Sequence, residues 1–162
     1  TLSEAEVDGL VRIFLRRYGV VFKALLENET LMPSWMALLP YLRRLEIRGD
    51  VRGGRFVAGA FGEQFALPEA VEGLRRTQSL PDDAHLVVLS ACDPICLQGI
   101  LSSSAKIPRV PGNRVLYQGG VVIGHRIGKH VELQDPNAPD AWKFKNLLVK
   151  SLGPSSLKSY LE

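Results

Sequence analysis

LRRLEIRGDVRGGRFVAGAFGEQFALPEA, residues 42–70, decides the fold of the first half of the chain. It reads as the end of an arginine-bearing helix, a tight hairpin, a second short strand and a new helix start. Arg43, Arg44, Arg48, Arg52 and Arg55 fall within thirteen residues whose acids are Glu46 and Asp50. A helix followed by a basic hairpin is the working end of a winged helix-turn-helix domain. In that architecture one helix enters the DNA groove and the hairpin touches the phosphates beside it.

Upstream, Ser3 and Glu6 have the spacing of a capping box. Val7, Leu10, Val11, Phe14 and Tyr18 then recur on one helical face, and Gly19 ends the helix. The stretch Val20–Leu26 reads as a short second helix, followed by the polar turn Glu27-Asn28-Glu29-Thr30. Pro33 opens a third helix. Trp35, Leu38, Leu39, Leu42 and Leu45 make its core face, while Ala37, Tyr41, Arg44 and Arg48 share another. Pro40 is expected to kink or shorten this helix, and Gly49 closes it. Gly53-Gly54 reads as a two-residue hairpin loop between Val51-Arg52 and Arg55-Phe56-Val57. Glu63–Leu67 is a further strand candidate, and Pro68-Glu69-Ala70 starts a helix running to about Arg76.

Residues 77–84 have linker composition, and strands follow. His85–Ala91, Arg114–Tyr117, Val121–His125 and Lys129–Leu133 are the candidates, with Gln118-Gly119-Gly120 as a second Gly-Gly hairpin. A last helix runs from Trp142 to about Leu152. The fold class is therefore α+β: a winged helix-turn-helix domain over residues 1–80, then a small β-barrel-like domain with a C-terminal helix over residues 81–162.

Composition is that of a globular protein, 46% hydrophobic and 23% charged, and no apolar run approaches a membrane span. There is no initiator Met and no signal peptide, so the chain reads as a piece of something longer. Cys92 and Cys96 have three residues between them, which is neither a disulfide framework nor a usual zinc spacing. Free thiols in a reducing, cytoplasmic compartment are expected. The net charge of +3 says little by itself. Residues 1–80 carry 11 Lys and Arg against 10 Asp and Glu, so the basic character is local. All five cations between residues 43 and 55 are arginines, which suit bidentate phosphate contacts.

The candidate nucleic-acid contacts are Arg44, Arg48, Arg52 and Arg55, with Tyr41 placed to stack on an unpaired base. The same arginines read equally as a solvated helix face and a hairpin with charged, aggregation-resistant edges. Trp35 and Phe56 belong to the core. Asp93, at the end of a strand, is the candidate catalytic carboxylate, with Asp140 and Glu162 behind it; Asp before Pro is also a common turn starter. His85, His125 and His130 have no metal-ligand spacing, and no metal is expected. The chain has no phosphate-binding GKS or GKT loop, no nucleophile elbow and no H-E-x-x-H.

Leu15–Phe22, Leu42–Glu46, Arg48–Val57, Gly62–Pro68, Ser90–Pro94 and Val110–Val115, in that order, resemble the C-terminal region of the large helicase-related proteins. These are long bacterial, ATP-dependent, 3′-to-5′ translocating helicases of superfamily 2. The resemblance implies a motor core elsewhere in the parent, which would take the ATP and Mg that this chain is not expected to hold. It implies a terminal winged helix and β-barrel, DNA repair, and single-stranded or forked DNA and other helicase domains as partners, in the cytoplasm at the nucleoid. It also raises self-association and uracil excision as alternatives. Pro40 departs from the usual run of this helix in the family.

Overall fold

A computed structural model describes residues 2–30, 32–78, 85–101 and 106–150. The chain divides into two compact units. One is Thr1–Pro81 with Ile100–Ser103, and the other is Asp82–Gly99 with Ser104–Glu162.

The first unit runs α1 (Glu4–Tyr18), β1 (Val20–Phe22), α2 (Lys23–Leu26), α3 (Trp35–Ile47), β2 (Arg52–Gly54), β3 (Gln64–Ala66) and α4 (Pro68–Gln78). This is the order of a winged helix. Ser3 and Glu6 close the capping box of α1 reciprocally, and the Gly19 amide caps its last turn on Leu15. The three strands form an antiparallel sheet in the order β1-β3-β2. α1 and α3 pack over it around Val11, Leu15, Leu38, Leu42, Leu45 and Phe65.

Three readings change here. Val20–Phe22 is a strand and not helix: all three residues are buried and pair with Gln64–Ala66. Two β-branched residues and an aromatic suit that half-covered, pleated position. α2 shrinks to the four residues Lys23–Leu26. Gly53-Gly54 is not a loop but lies inside β2, paired with Phe65 and Gln64. The hairpin loop, or wing, spans residues 55–63 instead. Both glycines leave room for neighbouring side chains. A Cβ on Gly53 would lie 2.1 Å from the Glu46 carboxylate, and one on Gly54 would lie 2.9 Å from the Phe56 ring. Finally, α3 continues through Pro40 to Ile47, so the proline does not shorten it. The residue that loses its amide donor, Met36, is 71% exposed, so water can serve its carbonyl. α4 also extends through Thr77 and Gln78, two residues into the expected linker.

The second unit holds β4 (Leu86–Ser90), β5 (Arg114–Gln118), β6 (Val121–Ile127), β7 (His130–Leu133) and α5 (Ala141–Val149). The strands form an antiparallel meander, β4-β5-β6-β7. Among the described residues β4 and β7 are its free edges, so the sheet is open and a closed barrel is not seen. Closure would require pairing between those two strands. Gly119-Gly120 is the tight loop expected, with both residues at positive φ (55° and 79°). A bulge at Leu116/Tyr117 bends the β5–β6 pairing. α5 covers one face, burying Leu148 with Leu116 and Leu133. Ala91, Cys96, Ile107 and Val115 fill the other.

Two cross-strand neighbours, Arg114 and Arg126, hold the end of α5. Arg126 Nη1 donates to the carbonyls of Leu148 (3.5 Å) and Val149 (3.4 Å), and Arg114 donates to the Lys150 carbonyl. Positive charge at these orphan carbonyls also complements the helix dipole. Replacing Arg126 by Met keeps the stem and removes the cap. About 1 kcal/mol of stability should be lost, read as a fall of a few degrees in the melting temperature. An unchanged melting temperature would deny the cap any weight.

Candidate nucleic-acid interface

α3 presents two opposed faces. Leu38, Leu42 and Leu45 are fully buried. Trp35, half-buried, tilts against Phe65 with ring centroids 6.4 Å apart. Pro40, Arg43, Arg44, Ile47 and Arg48 are exposed on the far side. The helical period alone produces this division.

The arginines are not equivalent. Arg43 makes a two-pronged ion pair with Glu63, at 3.0 and 3.1 Å, tying α3 to the end of the wing. Arg48 pairs with Asp50 at 3.0 Å. The Arg44 guanidinium lies 5.3 Å over the ring of Tyr41. Tyr41 in turn is half-buried against the helical core. Arg52 lies exposed on β2 and Arg55 immediately after it. Among the described residues Arg44, Arg52 and Arg55 have no carboxylate partner. Surface pairs such as Arg48–Asp50 are weak and exchange readily.

Because β2 is an edge strand, its outward amides need partners. Gly53 N–H donates to Glu46 Oε1 at 3.1 Å, which fastens the edge to α3. With Arg43–Glu63, this contact ties the element carrying Arg44 and Arg48 to the hairpin carrying Arg52 and Arg55.

The wing owes its shape to Gln64, a residue with 1% exposure. Its Oε1 accepts from the amides of Phe56 and Val57, both at 2.8 Å. Its Nε2 donates to the carbonyls of Val57 (3.1 Å) and Ala60 (3.0 Å). Both acceptor sites and both donors of the amide are thereby used. Sequence reading treated Gln64 as one strand residue among five. A buried amide inside an apolar strand is the signal that could have marked it. Phe61, at the far end of this loop, was also passed over and is 87% exposed.

In the second unit, Asp93 closes a turn. Its Oδ1 accepts from Ile95 N–H at 3.0 Å, its own N–H donates to Ser90, and its carbonyl accepts from Cys96. Asp140 sits at the N-cap of α5 without a side-chain capping bond. Glu162 lies outside the described residues. Cys92 is exposed and Cys96 buried, both as free thiols. Cys96 Sγ is 3.7 Å from the Tyr117 hydroxyl. Burial, aided by that contact, pushes the hydroxyl well above the ordinary tyrosine range. No three His, Cys, Asp or Glu side chains cluster as metal ligands among the described residues. No described helix is long and apolar enough to cross a membrane.

A family model for the winged-helix domain of the large helicase-related protein matches residues 1–86. The chain belongs to that family. The match spans the Thr1–Pro81 part of the first unit, with α3, the wing and Arg43, Arg44, Arg48, Arg52 and Arg55. A search of curated proteins found no match. Membership in the large helicase-related family makes the winged helix an accessory module of a helicase.

Proposed function

We propose that this chain is a DNA-binding accessory module of a large helicase-related protein, acting through α3 and the wing. One observation carries the reading. Among the described residues Arg44, Arg52 and Arg55 are exposed, stand on the two elements that a winged helix offers to DNA, and make no ion pair with a carboxylate. Arg48 joins them by exchanging Asp50 for phosphate, a substitution that a solvated ion pair permits. Tyr41 supports the set from beneath by fixing the plane of Arg44. The contacts are to the sugar–phosphate backbone, so they set position and affinity without reading bases. Service in DNA repair, beside an ATP-dependent 3′-to-5′ motor and on single-stranded or forked substrates, belongs to the same proposal, as does a place at the bacterial nucleoid.

The test is fluorescence anisotropy of labelled forked DNA across a salt series. Reversing Arg52 and Arg55 to Glu removes two phosphate contacts. The log–log salt slope should become shallower by about 1.5–2, with weaker binding on every sequence. Unchanged affinity and slope in the double variant would remove the arginines from the interface.

A further inference from the structure

Phe61 is a large aromatic side chain left almost wholly in water, directly after a turn anchored on the buried Gln64. Before it, the turn Val57–Ala60 closes through the Ala60 amide on the Val57 carbonyl. The Ala60 carbonyl is itself fixed to Gln64 Nε2 at 3.0 Å. After it, Glu63 is gripped by the guanidinium of Arg43. Exposed apolar side chains are ordinary on mobile loops and need no explanation there. Here the turn that precedes the ring is fixed to Gln64, so part of the ordering that a ligand would require is already in place.

The chemistry around it narrows the ligand. The loop that carries Phe61 begins at Arg55, directly after the strand bearing Arg52. A flat apolar ring and two guanidinium groups that pair with no carboxylate among the described residues, all on one hairpin, match a polyanion with exposed π faces. In duplex DNA those faces are stacked on one another; they are free at an unpaired base or a duplex end.

We propose that Phe61 is a stacking platform for an unpaired nucleobase, so that the wing recognises the junction of a fork while Arg52 and Arg55 hold its backbone. The inference rests on the DNA-binding reading above and names its substrate more narrowly. It also moves the stacking role from Tyr41, whose ring is already covered by Arg44, to the wing.

The full chain and its Phe61→Ala and Phe61→Trp variants should be titrated with two probes: a fork with unpaired arms, and a dumbbell duplex whose ends are closed by base-free linkers. Phe61→Ala should weaken fork binding by about 5- to 100-fold. The salt slope and the dumbbell affinity should stay as in the parent. The ring is exposed, so the melting temperature should not move. Phe61→Trp should restore fork affinity and show fluorescence quenching on the fork alone. Equal losses on both probes, or none on the fork, would overturn the proposal; the latter outcome points to a protein surface as the ring's partner. The two readings fail differently. If the parent binds DNA with a steep salt slope that Arg52 and Arg55 control while Phe61→Ala is silent, only the stacking platform falls. If the parent binds neither probe, both fall.

Discussion

Gln64→Leu should cost the first unit about 3 kcal/mol and lower its melting temperature by roughly 10–20 °C. Leucine is close to the size of glutamine and apolar, so the strand β3 around it can still pack. The loss is polar. Four hydrogen bonds from one side chain disappear at once, and the Phe56 and Val57 amides and the Val57 and Ala60 carbonyls are left without their partner. An unpaired, half-buried backbone group is expensive, although solvent entering the wing will recover part of the cost. Thermal unfolding by circular dichroism gives the magnitude. Amide hydrogen exchange gives the location: the Phe56 and Val57 amides should exchange much faster in the variant. A melting temperature within about 2 °C of the parent would show that the network is ornamental.

Gly124→Val should damage the second unit by a similar amount, about 3 kcal/mol. Gly124 lies on β6 opposite Leu116 and Leu133, beneath α5. A Cβ there would stand 2.6 Å from Leu133 Cδ2, 3.0 Å from the Glu132 carbonyl oxygen and 3.5 Å from Leu148 Cδ1. Leu133 can turn its methyl aside. The Glu132 oxygen is main chain in the neighbouring strand and can move only with the ladder. Valine adds two further methyls to a layer that has no room for the first. Exchange should rise at the β6 and β7 amides and leave β3 unaffected. Gly124→Ala should cost less than half as much, and equal stability of all three proteins would refute the close approach.

The two Gly-Gly pairs show what the sequence could and could not say. They are identical in composition and both lie among strand-forming residues. Gly119-Gly120 is needed for positive φ, a local demand written in two residues and their flanks. Gly53-Gly54 lies instead in a strand, where Gly53 lets the Glu46 carboxylate of α3 approach the backbone, a contact made only in the fold. Local reading reached the first and misplaced the second, shifting the wing by several residues. Val20–Phe22 failed for a related reason: three apolar residues have no measurable period, and their partner strand lies at residues 64–66. The α1 cap and the core face of α3 depend on spacing within a few turns and were fully legible. In the candidate site, arginine positions were readable but their partners were not. Glu63 and Asp50 neutralise Arg43 and Arg48 through contacts made only in the fold, and the exposure of Phe61 follows from how the loop is pinned.

The strand order β1-β3-β2 also governs how the first unit can be made. As the chain is synthesised, Val20-Val21-Phe22 emerges early, yet among the described residues its only ladder partner is Gln64–Ala66. Some forty residues must follow before that sticky edge can be covered. α1 and α3 can meet in the meantime through their shared apolar faces, which shields part of it. β3 then closes the sheet for both neighbours in one step. Completion of the wing and burial of β1 are thus a single late event, and a ribosome stalled before residue 66 would display an aggregation-prone intermediate.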